Sequence, residues 1–315
     1  MFYGIDTSCY TTSLAVIDDQ GRLLDEQRQL LAVEAGARGL RQSEAVFRHL
    51  CNLPLLSQEL GKTLQGRPLL GVAATTRPRP VEGSYMPVFV VGESFGRALA
   101  ATLGVPFFAL SHQEGHLLAG MWSAGLDWAN FLAVHVSGGT TEVLRVSMAE
   151  QMVVTELGGS ADLHAGQFID RVGVSLGLPF PAGPYLEKLA ADGDRGDCLQ
   201  VPISVAGLRI SFSGPESYVQ RELVKGDYLP AAVARGVERC VSETLCRLVQ
   251  NARQASGLER VLFVGGVAAN AYIRAHLTEN LGGVAVSFAS PSLAADNAVG
   301  AALYAWQRVR CNHNI

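Results

Sequence analysis

The run His112-Gln113-Glu114-Gly115-His116 places two imidazoles four residues apart. On a helix that spacing brings both side chains to one face, close enough to share a single ion. Imidazole suits zinc, iron or nickel, although two surface histidines at this spacing also occur with no metal at all. The zinc-protease pattern requires a glutamate directly after the first histidine. Gln113 stands there, and Glu114, two residues on from His112, turns toward the opposite helix face. Peptidase chemistry therefore fits poorly. A metal site needs a third ligand, and Asp296, within Pro291-Ser292-Leu293-Ala294-Ala295-Asp296-Asn297-Ala298, is a candidate. By position alone it reads first as the N-cap of a small-residue helix.

A second kind of chemistry is suggested by glycine loops. Ser137-Gly138-Gly139-Thr140-Thr141 lies between two strand-like runs. Glycine leaves backbone N–H groups open to close approach by phosphate, yet an ordinary glycine hairpin looks the same. Gly265-Gly266 leads from a strand toward a helix, where a nucleotide phosphate can meet the helix N-terminus. Asp6 ends the first strand and either orients a metal–phosphate group or caps the turn. Gly166 to Asp170 reads as helical, and Leu178 to Pro184 as a rigid turn. Asp170 on its own reads as a solvated helix residue.

The elements that hold these residues follow from pattern. Tyr3–Asp6 and Thr12–Ile17 form strands around a hydroxyl-rich tip, closed by the turn at 18–21. Ser43–Leu60 is helical, Leu69–Thr75 is a buried strand, and the prolines of Arg77–Ser84 forbid regular structure there. A helix over Val88–Leu103 and a strand over Val105–Leu110 follow. Ser111 caps the helix that carries His112 and His116. Phe131–Val136 and Glu142–Val146 repeat the opening hairpin, which suggests a duplicated architecture. Val233, Val237, Val241, Leu245 and Leu248 fall on one face of a core helix, ahead of a strand over Arg260–Val264. The tail Cys311–Ile315 is expected to fray.

Composition narrows the classes. A chain of 315 residues exceeds what one compact core usually holds, so two lobes are expected. Its 48% hydrophobic content supplies ample apolar surface for them. A net charge of −4 gives no global field for nucleic acid, so RNA contact needs a local basic patch. The N-terminus lacks the basic and apolar segments of a signal peptide, and no apolar run is long enough to span a bilayer. Cys9, Cys51, Cys198, Cys240, Cys246 and Cys311 are scattered without a C-x-x-C pair. They read as reduced thiols of a cytoplasmic protein.

Taken in order, these motifs resemble a known family over nearly the whole chain. They are Asp6-Thr7-Ser8-Cys9, His112-x-x-Gly115-His116, Val136-Ser137-Gly138-Gly139, Gly166 to Asp170, Pro181 to Pro184, Ile210-Ser211-Phe212-Ser213-Gly214, Gly265 to Asn270, and Asp296-Asn297. The family is TsaD/Gcp, the catalytic subunit of tRNA N(6)-threonylcarbamoyladenosine synthase, formerly called O-sialoglycoprotein endopeptidase. The resemblance implies an α/β, two-lobed actin-like ATPase (ASKHA) fold with duplicated mixed-sheet domains. One lobe would hold residues 1–122 plus 297–315 and the other 123–296, with nucleotide and metal in the cleft. It implies that His112, His116 and Asp296 bind one divalent metal ion, iron or zinc. It implies that His135, Val136, Ser137, Gly138, Gly139, Asp170, Gly183 and Asn270 line a pocket for ATP, ADP or threonylcarbamoyl-AMP. The implied reaction passes a threonylcarbamoyl group from its AMP-activated form to a tRNA adenosine. Implied partners are tRNA, a homologous TsaB-like subunit and a small ATPase subunit, with no membrane.

The sequence also departs from the family pattern. Tyr10 and Thr11 replace two acidic residues, and Pro215 and Glu216 replace leucine and lysine. Arg77-Pro78-Arg79 stands where the family has Gly-Pro-Gly, and Gly36 to Phe47 differs as well. Arg77 and Arg79 could contact phosphate, or simply be solvated. This pattern resembles a divergent, paralogous branch. Two alternatives to tRNA modification stay open. One is a carbamoyl-type transferase or ATPase with another acceptor. The other is a non-catalytic nucleotide-binding subunit.

Overall fold

The computed structural model describes residues 1–8, 10–33, 40–149, 151–192 and 198–313. Cys9 of the first motif, the opening of the Gly36–Phe47 segment and the last two residues of the tail lie outside them. The chain divides into two compact units.

The first unit comprises Met1–Val33, Gly39–Ser123 and Asp296–Ile315. Its strands are β1 (Phe2–Asp6), β2 (Thr11–Ile17), β3 (Leu23–Leu30), β4 (Gly71–Arg77) and β5 (Phe107–Ser111), and its helices are α1 (Gln42–Leu64), α2 (Pro87–Leu103) and α3 (His112–Ser123). The sheet order is β3-β2-β1-β4-β5. β1 pairs antiparallel with β2 and parallel with β4, and β4 pairs parallel with β5. All five residues of β1 are buried, as expected of a central strand covered on both faces. Ile5, Leu14, Val72, Leu53 and Leu60 form the core on one side.

The second unit is built from Ala124–Ala295. Its first part holds β6 (Asn130–Val136), β7 (Thr141–Met148), β8 (Met152–Ser160), α4 (Ala165–Ser175), α5 (Gly183–Ala191), β9 (Ser204–Ala206) and β10 (Arg209–Ser211). The rest is α6 (Ser213–Lys225), α7 (Pro230–Ser256), β11 (Arg260–Val264), a 3-10 turn (Gly266–Ala269), α8 (Ala271–Asn280), β12 (Ala285–Phe288) and α9 (Pro291–Ala294). The chain then returns to the first unit as α10 (Val299–His313). The larger sheet runs β12-β11-β6-β7-β8-β10-β9.

Five of these seven strands repeat the first unit's pattern. β6 is the centre, antiparallel to β7 and parallel to β11, with β8 and β12 flanking them as β3 and β5 flank the first set. The duplication expected from the two hairpins is therefore present strand for strand. The valine stripe of α7 is buried in one core with Val134, Phe168, Phe212 and Phe263.

Several expectations need correction. The buried strand near 69–75 lies two residues later and takes in Arg77, the first residue of the proline loop. The first three residues of the tail, Cys311 to His313, continue α10. β3 carries no apolar alternation because it is a charged edge strand (Leu23-Leu24-Asp25-Glu26-Gln27-Arg28-Gln29-Leu30), half-buried throughout most of its length. Among the described residues no helix is long and apolar enough to cross a membrane.

Candidate metal centre and glycine-loop ring

Ser111 starts α3 through a capping box. Its Oγ accepts the Glu114 N–H at 3.2 Å, while Glu114 Oε2 accepts the Ser111 N–H at 2.7 Å. Glu114 is thus committed to the helix start. The Gln113 N–H donates to the Pro78 carbonyl at 3.1 Å, which pins the first turn against the proline loop. On this fixed turn His112 and His116 converge, with Nε2 to Nε2 at 3.1 Å.

Asp296 joins them. Its Oδ1 lies 3.3 Å from His116 Nε2 and 3.4 Å from His112 Nε2. The sequence left helix capping as its first reading, and the structure gives that task to the neighbour: Asn297 Oδ1 accepts the Val299 N–H at 3.0 Å. Asp296 sits ahead of the cap with its carboxylate directed at the histidines. Behind His112, Asp6 Oδ1 lies 3.2 Å from Nδ1. Ser8 and Thr75 also hydrogen-bond the Asp6 carboxylate, so Asp6 is more than a turn cap.

The donor set fits a divalent transition metal. Ligand bonds of about 2.0–2.2 Å give ligand–ligand edges of about 3.0 Å in an octahedron and about 3.4 Å in a tetrahedron. The three edges here span that range. Two imidazoles and one carboxylate match the facial set of non-haem iron(II) sites and the open sets of catalytic zinc. Electrostatics agree. Burial opposes charge on His112, but Asp6 and Asp296 overcome it and push this imidazole up to about 10. Burial and the neighbouring His112 charge push His116 down, toward the neutral form. Burial also opposes charge on Asp296, yet the two histidines hold its carboxyl well below the usual range. Two carboxylates facing the two imidazoles leave room for positive charge, which a divalent ion could supply.

The second unit assembles the other candidates into a ring of contacts. The Ser137 N–H donates to the Thr140 carbonyl at 2.8 Å, closing the loop, and Gly138 and Gly139 are exposed at its tip. The Gly166 N–H donates to the Ser137 carbonyl at 3.2 Å and joins the loop to α4. Asp170 on α4 then accepts the Ala182 N–H at 2.7 Å, just before Gly183 opens α5. Glu187 on α5 accepts the Ala271 N–H at 2.7 Å. Asn270, next to it, caps α8 through Oδ1 at 2.9 Å from the Ile273 N–H. Gly265 closes the ring, since a β-carbon there would lie 2.3 Å from the Val136 carbonyl oxygen. Val136 itself turns its side chain into the core. His135 is buried on β6, opposite Glu142 on β7.

Asp170 is not the solvated residue expected from its sequence context. Burial pushes its carboxyl up, only partly offset by the Ala182 hydrogen bond. Because Ala182 is fully buried, Asp170→Ala strands its N–H and should cost about 1–3 kcal/mol. Asp170→Asn keeps an acceptor and should cost much less. Denaturant titration of both variants checks this, and equal losses would sink it.

Sequence reading missed Glu187, Glu238 and Arg235, which brace the ring from helix interiors without any motif. Glu238 Oε1 accepts from Asn270 Nδ2 at 2.6 Å, and its Oε2 pairs with Arg235 Nη1 at 2.6 Å. The Arg235 guanidinium also stacks 4.2 Å from the Tyr272 ring. Burial pushes Glu238 from an ordinary 4.5 up to about 7, against the opposing pull of Asn270 and Arg235. The folded state therefore holds this proton more tightly than the unfolded chain. The resulting stability is complete below pH 4.5, shrinks as pH rises and is gone above about 7. A shift of that size corresponds to about 3 kcal/mol. Urea unfolding of wild type and Glu238→Gln across this window should show the wild type losing about that much relative to the variant. A constant difference between them would refute the assignment.

Solved structures share this architecture. The activator of the 2-hydroxyisocaproyl-CoA dehydratase from Clostridium difficile, with bound ADPNP, superposes at a TM-score of 0.57 and 13% identity, over 100% of this chain and 97% of that one. Component A of the (R)-2-hydroxyglutaryl-CoA dehydratase from Acidaminococcus fermentans gives 0.57 at 16% identity, over 98% of both chains. HypF from T. kodakarensis gives 0.62 at 14% identity, over 98% of this chain but 47% of that longer one. These likenesses establish the actin-like ATPase fold. The family follows from the sequence itself: the model described as TsaD, tRNA N6-adenosine threonylcarbamoyltransferase, matches residues 38–303, and the chain belongs to that family of carbamoyl-type transferases.

Proposed function

We propose that the protein transfers a threonylcarbamoyl group from threonylcarbamoyl-AMP to the exocyclic amine of a tRNA adenosine. Family membership combined with the His112–His116–Asp296 triangle carries this reading. In the proposed step the amine nitrogen bonds to the carbamoyl carbon, the bond from that carbon to the phosphate oxygen breaks, and AMP leaves while the amine loses a proton. A bound iron or zinc ion would supply Lewis-acid polarisation of the carbonyl or hold the phosphate. His112, His116 and Asp296 would hold that ion. Backbone N–H groups of Gly138 and Gly139 would meet phosphate charge, while Asp170, Gly183 and Asn270 would line the remainder of the nucleotide site with His135, Val136 and Ser137.

The acceptor is where a second reading has support. Glu216 lies in the first turn of α6 and accepts a hydrogen bond from Gln220 at 3.1 Å. It brings negative charge where the family has a lysine, and Tyr10 and Thr11 remove two acids. Both changes favour a carbamoyl-type transferase with another acceptor. A cytoplasmic location and a homologous TsaB-like partner with a small ATPase subunit belong to the proposal as well. Support for a protein partner comes from α1, which exposes Phe47, Leu50, Cys51, Pro54 and Leu55 at helical spacing. Expression in a strain lacking the standard enzyme tests the main reading. Restored threonylcarbamoyladenosine in tRNA supports it. Well-expressed protein that restores none excludes it, and mass spectrometry of products formed from the activated donor then tests the alternative.

A further inference from the structure

We infer that Asp6 is the positioning residue of the metal centre, selecting the tautomer and ring orientation of His112. The inference rests on the metal reading above. Asp6 ends the central strand β1 and is fully buried. Its Oδ2 accepts from Ser8 Oγ, and its Oδ1 accepts from Thr75 Oγ1 at 2.5 Å. Thr75 lies on β4, the parallel neighbour of β1, so two adjacent strands of the sheet fix the carboxylate. The remaining contact is His112 Nδ1, 3.2 Å from Oδ1.

A carboxylate accepts and does not donate. Both hydroxyls already point their hydrogens at it, so the imidazole must present Nδ1–H. With the Nδ1 proton held by Asp6, an ion binding at Nε2 need displace only the Nε2 proton, and Nε2 is the atom that meets His116 Nε2 at 3.1 Å and Asp296 Oδ1 at 3.4 Å. Asp6 therefore stands behind the ligand ring and outside the ligand triangle. Outer carboxylates of this kind orient a ligating histidine, and their loss typically weakens metal binding by about 10–100-fold.

Cobalt(II) titration of the full chain, in competition with a chromophoric chelator, tests this. Wild type should bind one cobalt with the visible absorption of a low-symmetry site. Asp6→Ala should bind about 10–100-fold more weakly, with an altered spectrum. Asp6→Asn, which retains an acceptor oxygen for Nδ1–H, should recover much of the affinity. Thr75→Val, which frees one side of the carboxylate, should fall between wild type and Asp6→Ala, and it keeps the test alive if Asp6→Ala does not fold. A 1H–15N spectrum of the zinc-loaded wild type should place the His112 proton on Nδ1. Wild-type affinity and spectrum in all three variants would overturn the role of Asp6 alone. Wild type that takes up no cobalt would overturn the metal reading together with it.

Discussion

Replacing Gly300 by alanine should destabilise the first unit by more than about 3 kcal/mol and disrupt the candidate metal site there. Gly300 lies in the first turn of α10, against the first turn of α3. A β-carbon there would sit 1.9 Å from the Gly115 carbonyl oxygen and 2.6 Å from its carbon. Those atoms are backbone, so no rotamer change relieves the clash and the helices must part. Gly115 stands between His112 and His116, while Gly300 follows Asp296 by four residues. The same close approach that seats α10 therefore brings Asp296 toward the two histidines. Thermal unfolding and metal analysis of the variant check the claim. Gly61→Ala is the matched control: Gly61 is in α1 with nothing near its β-position, and alanine there should be neutral or stabilise by about 0.5–1 kcal/mol. A soluble Gly300→Ala protein with wild-type midpoint and full metal content would refute the argument.

His116→Ala and Asp296→Ala should each abolish stoichiometric metal binding, because each removes one corner of the triangle. If carbonyl polarisation is worth about 4 kcal/mol, transfer falls by about 10^3-fold in both variants. Nucleotide binding should persist, since every contact in the glycine-loop ring lies within the second unit. Calorimetric titration with ADP alongside metal analysis separates the two sites. Loss of ADP binding in both variants would contradict this division, and retained metal in either would remove that residue from the ligand set.

The chemistry-bearing helix was legible because its signals are local. The histidine spacing and the Ser111 cap each reside within a few residues of α3, and the structure shows both. Asp296 was harder. An acid ahead of a small-residue helix looks like a cap, and only the side chain of Asn297 shows that the cap is one residue later. Asp6 and Asp170 were ambiguous for a related reason. Their partners, His112 and Ala182, are fixed by tertiary packing, so no window around either acid contains the information. The paired hairpins revealed the duplication, but β3, β8, β9, β10 and β12 did not stand out. These strands are short, charged or only partly buried, so burial imposes little alternation on them. Departures such as Tyr10 and Glu216 were legible because each is a single change of residue type within a motif.

The return of the chain to its first unit sets an order of assembly during synthesis. α10 and Asp296 emerge only after the whole of Ala124–Ala295 has been translated. At about 5–20 residues per second, Met1–Ser123 waits on the order of ten seconds or more without the helix that packs on β1. The second unit, later in sequence, has all its strands earlier than the first has all its helices. A nascent chain that has only reached residue 295 thus lacks both Asp296 and the helix that packs on β1.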